Sequence, residues 1–221
     1  MAATDRRYRL IVFDWDGTLM DSASGIVACI QGASRDMGFE VPTAERASHV
    51  IGLGLHDSLR LAVPDLPESA YAEFAGHYRK HFLAREEGMS LFPGARDLLA
   101  ELHGTGYSLA VATGKSRKGL DRALDASGLG ALFCATRCAD ETRPKPDPAM
   151  LHELMAELSC APRELLMIGD TSHDLDMAAS AAVDAVAVTY GAHPAGLLKE
   201  RTPRGLVDSV PELRAWLAVH A

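Results

Sequence analysis

Short apolar runs alternate with longer helix-like segments along most of the chain. Each run is a few residues long, rich in Val, Ile and Leu, and is followed by Asp, Thr or Gly. Continuous apolar runs of this kind are typical of strands that are buried on both faces of a parallel sheet. The pattern predicts strands at residues 9–13, 108–112, 132–135, 165–168 and 185–188.

Helical periodicity follows most of these runs. The predicted helices are residues 95–103, 117–126, 149–158, 175–182 and 210–219. The last one follows Ser209, a good N-cap residue, and has Pro211 in its first turn. The alternation predicts an α/β fold, in which a parallel central sheet lies between layers of helices as a Rossmann-like three-layer core.

One region breaks the alternation. From about residue 21 to residue 87 the chain shows no strand-like run, only helical pieces at 26–37, 44–50, 57–61 and 69–84. Gly38, the triplet Gly52-Leu53-Gly54 and residues 64–67 separate these pieces. We therefore expect an all-helical cap domain of residues 21–87, inserted into a core of residues 1–20 and 88–221.

Composition narrows the partners. The 221 residues are 48% hydrophobic and carry a net charge of -8, which disfavours nucleic acid because phosphate backbones require a basic surface. No apolar stretch is long enough to span a membrane, and Asp14 interrupts the first apolar run before it resembles a secretory signal. The four scattered cysteines are expected to be small buried residues. We expect a cytoplasmic monomer or homodimer.

Polar residues follow several predicted strands. Asp14 and Asp16 follow the first, Thr113-Gly114 follows the second, and Gly169-Asp170-Thr171 follows the fourth, with Asp174 nearby and Lys145 in a loop. In open parallel sheets the active site lies beyond the carboxyl ends of the strands. Clustered carboxylates raise one another's pKa unless a cation holds them, and Mg²⁺ is bound through few carboxylates plus substrate phosphate. The pattern predicts a Mg²⁺ site.

The same residues suggest phosphoryl transfer. A carboxylate such as Asp14 can attack phosphorus to form an aspartyl-phosphate, and Asp16 can donate a proton to the leaving group. Thr113, with backbone amides such as that of Gly114, can hold the non-bridging oxygens. Lys145 can neutralise phosphoryl charge.

Four motifs carry a family resemblance. Asp14-Trp15-Asp16-Gly17-Thr18 resembles the D-x-D-G-T motif of the haloacid dehalogenase superfamily of phosphohydrolases, and Thr113 and Lys145 resemble its second and third motifs. Residues 169–174, GDTSHD, resemble the fourth, G-D-x-x-x-D. The motifs stand in the family's order, and the helical insert resembles the cap of the branch that contains phosphoglycolate phosphatase.

The resemblance implies roles for these residues. Asp14 is the implied nucleophile and a metal ligand, and Asp16 is the acid/base that also binds the metal through its backbone carbonyl. Asp170 is a further ligand, and Asp174 supports the metal shell. The implied enzyme is a Mg²⁺-dependent phosphoric monoester hydrolase acting on a small phosphorylated metabolite similar to phosphoglycolate.

Other functions share these motifs. A phosphomutase of the β-phosphoglucomutase type and an inorganic pyrophosphatase stay open, whereas a receiver-like signalling domain needs neither Asp16 nor a cap.

Several other features of the sequence carry weaker signals. The segment after the second strand is basic, and whether Lys115 or Arg117 reaches the substrate stays open. His173 is expected to be an ordinary loop histidine, and four aromatic residues at helical spacing are expected to pack the cap core: Tyr71, Phe74, Tyr78 and Phe82. Substrate contact and a simple turn are equally expected for the Gly52 triplet.

Overall fold

A six-stranded parallel sheet forms the centre of the protein. The computed structural model describes residues 7–221, so the first six residues of the expected core segment lie outside it. In chain order, the strands of the described residues are β1 (Leu10–Phe13), β2 (Met20–Asp21), β3 (Ser90–Leu91), β4 (Ser108–Thr113), β5 (Ala135–Cys138), β6 (Leu165–Gly169), β7 (Asp184–Val188) and β8 (Gly205–Val207). β2 and β3 pair only with each other, and the other six strands form the central sheet. The sheet order β5-β4-β1-β6-β7-β8 places β1 between β4 and β6, with every pair parallel.

Helices cover both faces of this sheet and form the insert. They are α1 (Ala23–Asp36), α2 (Ala44–His49), α3 (Leu55–Ala62), α4 (Tyr71–Leu83), α5 (Ala95–Gly104), α6 (Arg117–Ser127), α7 (Ala149–Glu157), α8 (Ser172–Ser180), α9 (Ala195–Lys199) and α10 (Val210–His220). β1 shows why the layers form: all four of its residues are buried, with Ile11 and Phe13 in one apolar cluster and Leu10 and Val12 in the other. The predicted α/β fold with a Rossmann-like core is confirmed.

The edges of the sheet were predicted less well. The expected strand at 132–135 is wrong: residues Gly130–Leu132 form a 3₁₀ turn, and β5 begins at Ala135. β5 is an edge strand in which Arg137 forms ion pairs with Glu153 and Glu157, so it lacks a continuous apolar run. The short edge strand β8 was not predicted, because it also lacks a continuous buried apolar run.

The insert has its own apolar core. Helices α1 to α4 enclose a cluster that includes Cys29, Ile30, Leu59 and Phe74. The two segments that connect the insert to the sheet unit pair with each other as a short antiparallel ribbon of β2 and β3. Asp21, the first residue of the expected insert, therefore belongs to strand β2. Two-residue strands carry no periodicity that a sequence pattern can reveal.

The burial of the cysteines differs from the prediction at one residue. Cys134 is exposed, whereas Cys29, Cys138 and Cys160 are buried as expected; all four are free thiols.

Within residues 7–221, the helices are too short or too polar for any of them to cross a membrane.

Candidate active site

Asp14 directly follows the end of β1 and is buried. The backbone N–H of Asp14 donates to the carbonyl oxygen of Ile168, which continues the ladder to β6, and its side chain is only 1% exposed. The ammonium nitrogen of Lys145 lies 2.8 Å from Asp14 Oδ1 and 2.6 Å from Asp174 Oδ1. Lys145 itself is fully buried. The structure thus brings together three residues that are far apart in the sequence.

Asp174 serves a helix and the site at once. Thr171 caps α8, and its backbone N–H and hydroxyl donate to Asp174 Oδ2 at 3.0 and 2.7 Å. The other oxygen, Oδ1, faces Lys145. This cap also explains why α8 begins at Ser172, three residues before the predicted start, and places His173 in a helix instead of the expected loop.

Asp170 lies beside the loop that follows β1. Its Oδ1 accepts a hydrogen bond from the Thr18 hydroxyl at 2.7 Å, and its Oδ2 accepts one from the Ala192 N–H at 2.7 Å. A Cβ at Gly17 would stand 2.2 Å from Asp170 Oδ2, and the φ of Gly17 is +83°. Only glycine allows the chain to turn and to approach the carboxylate this closely.

These carboxylates carry more charge than their surroundings neutralise. Oxygens of Asp14, Asp170 and Asp174 lie within 4.8 Å of one another, and all three residues are buried. Among residues 7–221, one ammonium, that of Lys145, contacts the group. Burial raises the pKa of Asp14 to about 7, against the opposing effect of Lys145, and burial with the charge of Asp14 raises the pKa of Asp170 well above its usual range. Burial alone would lower the pKa of Lys145, but the charges of Asp14 and Asp174 outweigh it and raise that pKa.

A divalent cation fits this donor set. Asp14 Oδ2 is buried and has no hydrogen-bond or ion-pair partner among the described residues. Hard oxygen donors and an excess of negative charge are what Mg²⁺ or a similar cation requires.

Asp16 is also buried and has two side-chain partners. Its Oδ1 accepts a hydrogen bond from the Ser22 hydroxyl at 2.6 Å, and its Oδ2 lies 3.0 Å from Lys115 Nζ. Asp14 and Asp16 both line a cavity of about 270 Å³ between the insert and the sheet. Lys115 lines the same cavity. Arg117 instead binds Glu141 on the outer surface.

Thr113 and Gly114 occupy the end of β4, next to the cavity. The Thr113 hydroxyl accepts the Lys115 N–H at 3.2 Å, while Ser116 caps α6, so Thr113 has no capping role. A Cβ at Gly114 would lie 2.6 Å from the carbonyl oxygen of Gly52. The Gly52 triplet therefore packs against the loop that follows β4, and Gly52 and Leu53 line the cavity.

The aromatic residues of α4 do more than pack the cap. Phe74 and Phe82 belong to its apolar core as expected, yet both also line the cavity together with Tyr78. Tyr71 lies against the ring of His56, 5.3 Å between centroids.

Three histidines join the insert to the sheet unit. Nε2 of His173 and Nε2 of His193 lie 2.7 and 3.1 Å from the carbonyl oxygen of His49, at the end of α2. Nδ1 of His193 accepts the Ser172 N–H, which leaves its Nε2 as the donor. Beside them, the Ser48 hydroxyl donates to the carbonyl oxygen of Ala192 at 2.6 Å. No sequence signal pointed to this junction, because its members lie in separate segments.

A paired substitution tests the role of Lys115. Lys115→Met is expected to reduce kcat/KM by about tenfold, because it removes a cation from the cavity and from Asp16. Arg117→Met is the matched control: it removes a cation two residues away that faces Glu141. Steady-state kinetics on one phosphate ester measures both. Equal losses in the two variants would contradict a role for Lys115 at the site.

Comparison with known proteins places this site in a family. The sequence model of the haloacid dehalogenase-like hydrolases matches residues 11–188, a span that contains Asp14, Thr113, Lys145, Asp170 and Asp174. The chain belongs to the haloacid dehalogenase-like hydrolase family. The resemblance drawn from the four motifs is thereby confirmed.

Relatives of this haloacid dehalogenase-like hydrolase carry different names. It is 39% identical to the "Probable phosphatase IndB" of Dickeya dadantii, over 92% of this chain and 91% of that protein. It is 37% identical to the "Tyrosine-protein kinase PtkA" of Mycobacterium tuberculosis, over 96% of this chain and 73% of that protein. A crystal structure of a predicted phosphoglycolate phosphatase from Haemophilus somnus 129pt superposes with a TM-score of 0.84, at 26% identity, over 95% of this chain and 98% of that one.

Proposed function

We propose that this hydrolase is a Mg²⁺-dependent phosphatase that cleaves a small phosphorylated metabolite through an aspartyl-phosphate on Asp14. The observation that carries the proposal is the unpartnered Oδ2 of Asp14, which belongs to a buried residue at the edge of the cavity, 1% exposed. An oxygen in this position is held ready to bind metal or phosphorus and has no structural bond to lose. The names of the IndB and Haemophilus relatives agree with phosphatase chemistry.

The division of the chain follows from this proposal. Residues 21–87 would act as the cap and residues 1–20 and 88–221 as the catalytic core. The cavity lies between the two, so that the cap covers one side of a substrate held there.

The first step transfers the phosphoryl group to the protein. An oxygen of Asp14 forms a bond to phosphorus while the ester P–O bond breaks, and Asp16 gives a proton to the leaving alcohol oxygen. The Thr113 hydroxyl and the Gly114 amide hold the non-bridging oxygens. Lys145, already 2.8 Å from Asp14, neutralises the charge that gathers there.

The second step regenerates the free enzyme. Asp16, now a carboxylate, takes a proton from water as that water attacks phosphorus, and the bond to Asp14 breaks to release inorganic phosphate. Mg²⁺ would be held by Asp14, Asp170 and the backbone carbonyl of Asp16, with Asp174 supporting these ligands. When bound, it would supply positive charge to the phosphoryl oxygens and orient them for attack.

A substrate panel tests this function. Inorganic phosphate release is measured with and without Mg²⁺ on 2-phosphoglycolate, a hexose 1-phosphate, pyrophosphate and p-nitrophenyl phosphate. We expect metal-dependent release from monoesters, whereas isomerised hexose phosphate would indicate a mutase and preference for pyrophosphate a pyrophosphatase. A phospho-enzyme that accumulates without turnover would contradict hydrolysis.

Metal binding is expected to depend on pH. As pH rises through about 7, Asp14 loses its proton in the folded protein. Because its folded pKa lies above its ordinary value of 3.8, stability without a cation falls as pH rises from 3.8 to about 7, and the loss is complete above that pH. The stabilisation by Mg²⁺, about 2.7 kcal/mol at 100 times Kd, should therefore be larger at pH 8 than at pH 5.5. Thermal unfolding in Mg²⁺ and in EDTA at both pH values measures it, and equal shifts at both would contradict the assignment.

A further inference from the structure

The cap contributes mostly apolar side chains to the cavity. Ile26, Ile30, Leu59 and Phe74 line it from three different helices. All four are buried, and the aromatic rings of α4 extend this wall toward the sheet. The part of a substrate that lies against the cap therefore meets hydrocarbon.

The cations around this wall are mostly paired already. Lys115 contacts Asp16 at 3.0 Å and lies 4.8 Å from the ring centroid of Phe82. Arg122, which also lines the cavity, is bound to Glu86 at 2.9 Å. Arg79 has no ion pair among the residues that the structure describes, but its side chain belongs to an exposed residue.

This distribution of charge disfavours a second anionic group on the substrate. A carboxylate pressed against the apolar side chains of this wall loses its hydration and gains no partner from them, which is costly. 2-Phosphoglycolate carries such a carboxylate next to its phosphate ester. An apolar group gains free energy at the same place, because it leaves water for hydrocarbon.

The size of the cavity agrees with a compact hydrocarbon group. An apolar cavity of about 150 Å³ accepts a benzene ring. The cavity here is about 270 Å³ and includes the surroundings of Asp14 and Asp16. It has room for one ring or a branched aliphatic group beside the phosphate.

Building on the phosphatase activity proposed above, we infer that the substrate is a phosphate monoester of an apolar alcohol, aromatic or branched aliphatic, without a second anionic group. The phosphate meets Asp14, Thr113 and Lys145, and the hydrocarbon group fills the cap side of the cavity. This assigns to the cap walls the selection of the leaving group.

Two esters with alcohol leaving groups test the inference. Benzyl phosphate should be hydrolysed with a kcat/KM at least about tenfold above that of 2-phosphoglycolate. If 2-phosphoglycolate is hydrolysed as well as or better than benzyl phosphate, the inference is overturned while the phosphatase function stands.

Binding separates the two proposals. Isothermal titration of the Mg²⁺-loaded protein with benzylphosphonate and with phosphonoacetate requires no turnover. Tighter binding of benzylphosphonate is expected. If it is found in a protein that hydrolyses no ester, the hydrolase function fails and the selectivity of the cavity stands. Tighter binding of phosphonoacetate, or binding of neither, overturns the inference.

A matched pair of substitutions locates the selectivity. Leu55 and Leu61 both lie on α3 and are 53% and 38% exposed, but only Leu55 is among the residues that line the cavity. Leu55→Lys should shift the ratio of the two kcat/KM values by about tenfold toward 2-phosphoglycolate. Leu61→Lys adds the same charge outside the cavity and should leave the ratio unchanged. An unchanged ratio in Leu55→Lys, or an equal shift in both variants, overturns the inference.

Discussion

Asp14→Asn should reduce kcat by at least about 1,000-fold, because the amide has no anionic oxygen to attack phosphorus. The substitution keeps the size of the side chain and removes one buried negative charge. That charge is held in the folded protein at a cost, as the raised pKa of about 7 indicates. At pH 8 without metal, the melting temperature should therefore be unchanged or higher, and activity and stability should move apart.

The control for this variant is the stability measurement itself. A protein that loses activity because it unfolds would show a lower melting temperature, whereas loss of the nucleophile leaves the fold intact. Substantial hydrolysis by Asp14→Asn, measured with p-nitrophenyl phosphate and Mg²⁺, would contradict the role of Asp14.

Lys145→Met should cause the second large effect. Lys145 is fully buried and contacts Asp14 and Asp174, so its loss leaves buried carboxylates without their cation. Breaking a buried ion pair by removing one partner costs about 3–5 kcal/mol. The free energy of unfolding should fall by this amount at pH 8 without metal, and activity should be lost. The loss should be smaller at pH 5.5, where a larger share of the carboxyl groups is protonated.

A surface lysine provides the comparison. Lys118 lies exposed on α6, and Lys118→Met should leave both the urea midpoint and kcat near the wild-type values. Urea unfolding at the two pH values measures all three proteins. A Lys145→Met protein as stable as Lys118→Met at pH 8 would show that Lys145 does not balance the buried carboxylates.

The central strands could be predicted because each is buried on both faces. β1, β4, β6 and β7 read as continuous apolar runs, and their predicted bounds differ by at most one residue from the observed ones at either end. β5 and β8 lie at the edges of the sheet, where one side of the strand has no neighbour and side chains such as Arg137 are tolerated. Their apolar pattern is therefore weak, and the partly buried apolar run near Leu132 led to a wrong position for β5.

The site could be predicted where its residues stand in motifs. Asp14, Asp170, Asp174 and Lys145 do converge, because parallel strands present their carboxyl ends at one edge. The role of Lys115 depends on which way one loop side chain points, which no pattern in the sequence specifies. The histidine junction and the apolar cavity walls likewise arise from contacts between the helical insert and the sheet unit, and a sequence pattern does not specify such contacts.

The most direct test of the account is to identify the residue that carries the phosphoryl group. The Mg²⁺-loaded enzyme is mixed with a hydrolysed ester for milliseconds, quenched in acid and treated with borohydride, which reduces an aspartyl-phosphate to homoserine. Peptide mass spectrometry then locates the change. Homoserine is expected at position 14 in the wild-type protein, and none in Asp14→Asn. Homoserine at Asp16 or Asp174, or no modified carboxylate during turnover, would contradict it.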